Sequence, residues 1–363
     1  RLLQVKPPVA TDAELATIHS IDYIAQVRAA SSDANSTDPA TIANIASVYE
    51  AVGLGTEDCP VFADLHESSA RIAGGSLAAA KAIWSGQVDR AVNFAGGMHH
   101  AQRSMASGFC IYNDAALAIQ HMLDQGAERI AYVDLDAHHG DGVEQAFVND
   151  PRVLTISVHE TGLLLFPGTG FAKDIGGPQA EGYAVNVAVP ASVGDAGYLR
   201  AVHAVVPQLL RSFGPEVLVT QHGADGHRHD PLADLNLSVD GQRQLMIDAS
   251  DWAEDFAGGK WLALGGGGYS PVKVVPRAWA HLIGIAADTP IPLKTEIPME
   301  WRELVSHELG LATDDVVSSM SDGVDVWWRS WEVGYDPADA TDQSIMATRK
   351  AVFPMHGLDP WFD

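Results

Sequence analysis

Six short apolar runs recur along the chain, at 90–95, 130–134, 153–158, 183–189, 217–221 and 261–264, and each ends in glycine or polar residues. Between several of them lie stretches of helical periodicity, at 69–84, 114–125, 196–212, 239–256 and 271–286. Strands that alternate with helices cannot be joined by tight hairpins. They form right-handed β-α-β units whose strands run parallel and whose helices cover both faces. The expected fold is therefore α/β, a three-layer α/β/α sandwich with a mostly parallel central sheet. The 363 residues, 47% of them hydrophobic, suffice for one large domain or two ordinary ones. After Ala287 the pattern turns Pro-rich, Trp-rich and acidic. This tail, 286–363, is expected to pack as an extension on a motif-bearing core of about 1–285, making 1–363 a single domain. The stretch 29–39, rich in Ser, Asp and Asn, reads as a polar loop, and no internal repeat is visible.

In open α/β sheets chemistry gathers at the carboxyl ends of the strands, and here the polar clusters fall at those ends. The run at 130–134 continues into Asp134-Leu135-Asp136-Ala137-His138-His139-Gly140-Asp141. Side chains of an extended chain alternate faces, so Asp134, Asp136 and His138 can project together. Gln221-His222-Gly223-Ala224-Asp225 closes another run and offers a further ligand. Asp136, His138 and Asp225 make an O, N, O set, and three protein ligands with open positions describe a catalytic metal site. Capping carboxylates and a satisfied histidine would be the ordinary explanation of a single pair, but three such residues at strand ends favour the metal. A second cluster, His99-His100, follows the first run. With Asp134 and Asp141 still unassigned, two Asp–His dyads are expected, one able to deprotonate a water and, once protonated, to serve a leaving amine. Gly265-Gly266-Gly267-Gly268-Tyr269 is a glycine-rich strand exit without the Lys-Ser/Thr of a phosphate loop. Its phenol can donate to a developing oxyanion.

Composition excludes several classes. A net charge of −25 repels phosphate, so nucleic acid is not an expected partner, whereas basic segments such as lysine-bearing proteins are. Two cysteines, Cys59 and Cys110, are too few for a disulfide framework and suggest a reducing cytoplasm. No apolar run reaches membrane-spanning length and no signal peptide is expected.

Further motifs, read together with these, carry a family resemblance. They are Gly55-Thr56-Glu57-Asp58-Cys59-Pro60, Gly97-Met98-His99-His100-Ala101, Ala106-Ser107-Gly108-Phe109-Cys110 and Tyr112-Asn113-Asp114. Asp134 to Asp141 then continues into Gly142-Val143-Glu144, and Phe166-Pro167-Gly168-Thr169-Gly170, Gly223-Ala224-Asp225 and Gly265 to Tyr269 complete the set. In this order, over about 1–285, the chain resembles the histone-deacetylase-like zinc amidohydrolases of arginase/deacetylase fold, most closely the bacterial acetoin-utilisation deacetylases. The resemblance implies a metal-dependent lysine deacetylase that releases acetate from Nε-acetyl-lysine of proteins or peptides. It implies Zn2+, or Fe2+, on Asp136, His138 and Asp225. It pairs His99 with Asp134 and His100 with Asp141, and gives Tyr269 the polarisation of the substrate carbonyl. Phe109 and Phe166 become the walls of an acyl-lysine tunnel, Gly108 adds backbone, and Asp58 becomes a rim carboxylate for substrate amides. Potassium (K+) is implied near Asp134, Asp136, His138, Ser157 and Val158, with a second position at Phe147, Val153 and Tyr183.

Departures from the family pattern also carry expectations. The family's first strand, and an arginine near it that lines an internal channel, have no counterpart in a chain that opens Arg1-Leu2-Leu3, so earlier sequence is expected to be missing. Leu163-Leu164-Leu165 stands where relatives often carry another aromatic, which would widen the acyl pocket. Arginase-like enzymes bridge two manganese ions with further aspartates, but His227 occupies one such position, which favours a single metal. Acetylpolyamine amidohydrolases often place an acidic gatekeeper after the last metal ligand. Leu232 stands there instead and favours acetyl-lysine. A catalytically inactive acyl-lysine binding module would have lost Tyr269, a ligand or a dyad, and all are present.

Overall fold

The computed structural model describes residues 2–363. Its sheet contains β1 (Arg90–Asn93), β2 (Ile130–Asp134), β3 (Val153–Glu160), β4 (Ala184–Val189), β5 (Val217–Gln221) and β6 (Trp261–Leu264). The order is β1-β6-β5-β2-β3-β4, with every pairing parallel. Strands 130–134, 217–221 and 261–264 coincide with the apolar runs. β3 runs on to Glu160 because His159 and Glu160 are buried despite their polarity.

Alternation along the strands splits the core in two. Ala131, Val133, Leu154, Ile156 and Leu218 face the helices Asp195–Phe213, Val239–Ala257, Val275–Ala286 and Ala340–Val352. Ile130, Tyr132, Val217 and Val219 face the helices Ile21–Asp33, Leu65–Trp84 and Asp114–Asp124. Burial on both faces explains why these strands read as continuous apolar runs rather than alternating ones. This is the expected three-layer α/β/α sandwich. Among the described residues no helix is long and apolar enough to cross a membrane.

The loop expected over 29–39 narrows to 34–38. The helix Ile21–Asp33, capped by the Ser20 hydroxyl, continues through Ala30 and Ser31, both buried, and Pro39 opens a further helix capped by the Asp38 carboxylate. Ser31, Ser32 and Asp33 are taken into the first helix, Asp38 caps the second, and Pro at the first helical position loses no hydrogen bond. Downstream, the helix Ala340–Val352 packs against β4 and the helix Asp195–Phe213. There Asp342 meets Arg200 at 2.5 Å with both side chains buried, and removing one partner of such a pair costs about 3–5 kcal/mol.

Candidate active site

Parallel register sets the floor of the site. Asn93, Leu264, Gln221, Asp134 and Ser157 lie in one row across β1, β6, β5, β2 and β3, so their following loops leave the sheet side by side. Just beyond that row Asp136, His138 and Asp225 converge. His138 Nδ1 lies 3.1 Å from Asp136 Oδ1 and 3.0 Å from Asp225 Oδ2. Among the described residues this is the one group of three or more His, Cys, Asp or Glu whose ligand atoms lie within 4.8 Å of one another. The outward oxygens are held from behind. Asp136 Oδ2 accepts from Gln221 Nε2 (2.7 Å) and from Gly267 N (2.9 Å), and Asp225 Oδ1 accepts from Ala137 N (3.0 Å).

Two carboxylates buried side by side repel. Burial, then the charge of Asp136, pushes the Asp225 carboxyl up to about 7. Burial opposes a charged His138, but hydrogen bonds to Asp136 and Asp225 outweigh it and lift the ring to about 11. Such a set calls for positive charge at its centre. An O, N, O donor group fits a divalent cation.

Beside it stand the two histidines. His99 Nδ1 lies 2.8 Å from Asp134 Oδ2, which also accepts from the Tyr132 hydroxyl at 2.7 Å. His100 Nδ1 lies 2.7 Å from Asp141 Oδ1, whose other oxygen accepts from Gln102 Nε2 at 2.9 Å. The facing Nε2 atoms are 3.0 Å apart, close enough to share a proton. Burial would strip charge from both rings. At His99 it is outweighed by Asp134 and then Asp136, which raise the ring to about 9. At His100 burial, reinforced by the charge on His99, pushes the ring down to about 4. One imidazole is thus set to carry a proton and the other to accept one.

The aromatic groups lie over this floor. Phe166 meets His100 edge to face with centroids 4.9 Å apart, and Phe109 lies 5.4 Å from the Tyr269 ring. Gly108, at φ 50°, passes so close that a Cβ there would fall 2.4 Å from His100 Cδ2 and 2.9 Å from Phe166 Cε1. Only glycine fits that crossing. Burial, and then Asp136 and Asp225, hold the Tyr269 phenol far above its ordinary range, so it remains a donor. Phe109, Phe166 and Leu232 are 48%, 45% and 42% exposed.

Comparison with known proteins decides the family. The histone deacetylase domain matches residues 1–286. The chain belongs to the histone deacetylase family. The acetoin utilization protein AcuC of Bacillus subtilis (strain 168) is 40% identical over 349 residues, 95% of this chain and 86% of that one. AcuC of Staphylococcus aureus (strain MSSA476) is 38% identical over 303 residues, 84% of this chain and 75% of that one. Among solved structures, an HDAC homolog complexed with SAHA superposes with a TM-score of 0.79 at 29% identity, covering 95% of this chain and 88% of that one. An HDAC homolog from Aquifex aeolicus gives 0.78 at 28% identity with the same coverage. The fold is that of the arginase/deacetylase class, and the chain is a hydrolase of the deacetylase family.

Against that family frame, several expected residues are placed in unexpected company. Asp58 Oδ2 accepts from Gly108 N at 3.0 Å and its Oδ1 accepts from the Thr56 hydroxyl at 2.8 Å, so this carboxylate holds the loop that carries Gly108. Leu232 donates its N–H to Asp230 Oδ1 at 3.0 Å. Ser157 pairs with Asp134 across β2 and β3, its hydroxyl 2.8 Å from His159 Nδ1, and the Val158 carbonyl accepts from the Tyr198 hydroxyl at 2.6 Å. Of the second potassium set, Phe147 follows the helix Asp141–Ala146, Val153 pairs with Ile130, and the Tyr183 carbonyl accepts from Thr155 N.

Sequence reasoning assigned no role to several residues that hold the site. Buried Asp114 accepts from Gly97 N and Met98 N and so fixes the turn before His99. Gln221 orients Asp136, and a polar end to an apolar run was its one signal. Gly267 is packed so tightly that a Cβ would fall 2.0 Å from Asp225 Oδ2, so the glycine-rich exit serves close approach to the ligands. Asp230 accepts from Tyr269 N at 2.7 Å and thereby ties the loop after Asp225 to the phenol's backbone.

Proposed function

We propose that this chain hydrolyses the Nε-acetyl amide of lysine within proteins or peptides, with one divalent ion, zinc, on Asp136, His138 and Asp225. The observation that carries the reading is the convergence of that buried donor set with two histidine–carboxylate pairs and a phenol beneath exposed aromatic rings. When bound, such an ion supplies Lewis-acid polarisation of the amide carbonyl and makes a water acidic enough to react at neutral pH.

The protein's own groups do the rest. His100, held neutral, takes a proton from the attacking water, and Asp141 behind it stabilises the imidazolium that results. His100 then returns that proton to the departing lysine amine. His99, backed by Asp134, stabilises the charge that develops beside it. Tyr269 donates its hydroxyl to that same oxygen, a bond that strengthens as charge develops. Phe109 and Phe166 flank the substrate's methylene chain, and Gly108 leaves it room. Leu232 offers no charge to a second ammonium, which supports lysine in a polypeptide over a polyamine. Ferrous iron would suit the same donors. Potassium is proposed at main-chain oxygens about Asp134, Asp136, His138, Ser157 and Val158, supported by the pairing of Asp134 with Ser157. The free, buried thiols of Cys59 and Cys110 support a reducing cytoplasm.

The test is kcat/KM on acetyl-lysine peptides and on acetylspermidine with the same metal-loaded enzyme. At least a tenfold preference for a peptide is expected. A preference for the acetylpolyamine would replace this reading with that of a polyamine amidohydrolase.

A further inference from the structure

The family domain ends at residue 286, yet a side chain from beyond it reaches the loop that carries Asp225. Asp322 Oδ2 accepts from His227 Nε2 at 2.8 Å and from Val239 N at 3.0 Å, and lies 3.2 Å from Arg228 Nη2. Its Oδ1 accepts from Arg277 Nη1 at 2.8 Å, and its own N–H donates to Asp240 Oδ2 at 3.0 Å. One carboxylate thus joins the loop after Asp225, the helix Val239–Ala257 and the helix Val275–Ala286.

What those elements carry gives the junction its meaning. His227 is fully buried, two residues beyond Asp225. Its carbonyl accepts from Asp230 N at 2.8 Å, and Asp230 in turn accepts from Tyr269 N. On the other flank, Arg277 lies in the first turn of the helix that follows the Tyr269 loop, and its Nε donates to the Lys273 carbonyl at 2.6 Å. Asp322 therefore grips the segments that follow Asp225 and Tyr269. A charge-assisted contact to each is worth more than a neutral one, and burial strengthens it.

We propose that Asp322 is a positioning residue: through His227 and Arg277 the C-terminal segment sets where the Asp225 carboxylate and the Tyr269 phenol stand relative to each other. This rests on the deacylase reading for its catalytic consequence, but its effect on the metal ligand does not. A second tail contact serves as the structural control. Asp342 and Arg200 form a buried pair between the helices Ala340–Val352 and Asp195–Phe213, bonded to neither of these loops.

The experiment compares Asp322→Asn, Asp322→Ala and Asp342→Asn with the parent chain. Three quantities are read: Tm, the zinc dissociation constant by chelator competition, and kcat and KM on an acetyl-lysine peptide. Both Asp322 variants should weaken zinc binding at least fivefold and lower kcat tenfold or more, with KM moving less than twofold. Asp342→Asn should lower Tm by as much or more while zinc affinity and kcat stay within twofold of the parent. Asp322→Asn keeps the side chain's shape, so it decides the matter where Asp322→Ala fails to fold. Parent-like zinc affinity and kcat in Asp322→Asn would overturn the proposal, as would equal losses in Asp342→Asn. A parent enzyme that binds zinc but turns over no acyl-lysine would defeat the deacylase reading alone, and the zinc affinities would still judge Asp322.

Discussion

The floor and the rim of this site are built on opposite principles. The floor groups Asp134, Asp136, His138 and Asp225 lie at or just beyond a strand end and are buried, and the three carboxylates are hydrogen-bonded to the chain behind them. The rim groups Phe109, Phe166 and Leu232 come from loops and stand nearly half exposed. Parallel register makes the floor rigid, because moving one ligand means slipping a strand against neighbours on both sides. Nothing comparable restrains Leu232, whose side chain can be exchanged without disturbing a packed layer. The lesson is that reaction type belongs to the sheet and substrate choice to the loops.

Two substitutions press on that contrast, and the larger effect belongs to the floor's edge. Tyr269→Phe removes the donor to the developing oxyanion and nothing that binds metal. It should lower kcat about a hundredfold or more while zinc affinity and peptide KM stay near the parent's, measured by steady-state kinetics and chelator competition. Near-normal turnover would mean that the phenol belongs to the rim after all. The smaller effect is expected at the gate. Leu232→Glu places a carboxylate where a distal ammonium would pass, at an exposed position where charge is partly screened. It should shift the ratio of kcat/KM for acetylspermidine to that for peptide by on the order of tenfold, about 1.4 kcal/mol, with kcat on the peptide little changed. An unchanged ratio would show that substrate choice is made deeper, in the floor.

The same contrast explains what could be read from the sequence. β2, β5 and β6 were legible to the residue because strands buried on both faces demand unbroken apolar runs. The convergence of Asp136, His138 and Asp225 was legible because they follow those runs at fixed short spacings. β3 was read short because His159 and Glu160 look like the end of a strand, although hydrogen bonds to Gly170 O and from Asp234 N make their burial possible. The loop within 29–39 is shorter than its composition suggests because the same short polar side chains serve loops and helix caps alike. Asp58 and Asp230 show the limit at the rim. Their partners, Gly108 and Tyr269, lie 50 and 39 residues away, and no local spacing announces such contacts. The contact between Asp322 and His227 spans 95 residues and crosses the end of the family domain.

The central claim is that one divalent ion on Asp136, His138 and Asp225 is the centre of the chemistry, and a metal titration tests it most directly. Chelated enzyme, titrated with zinc while turnover of an acetyl-lysine peptide is followed, should regain activity linearly and reach its plateau at one equivalent per chain. Asp225→Ala should neither hold that equivalent nor recover turnover. Full activity in the chelated enzyme, a plateau only at two equivalents, or recovery in Asp225→Ala would contradict the account.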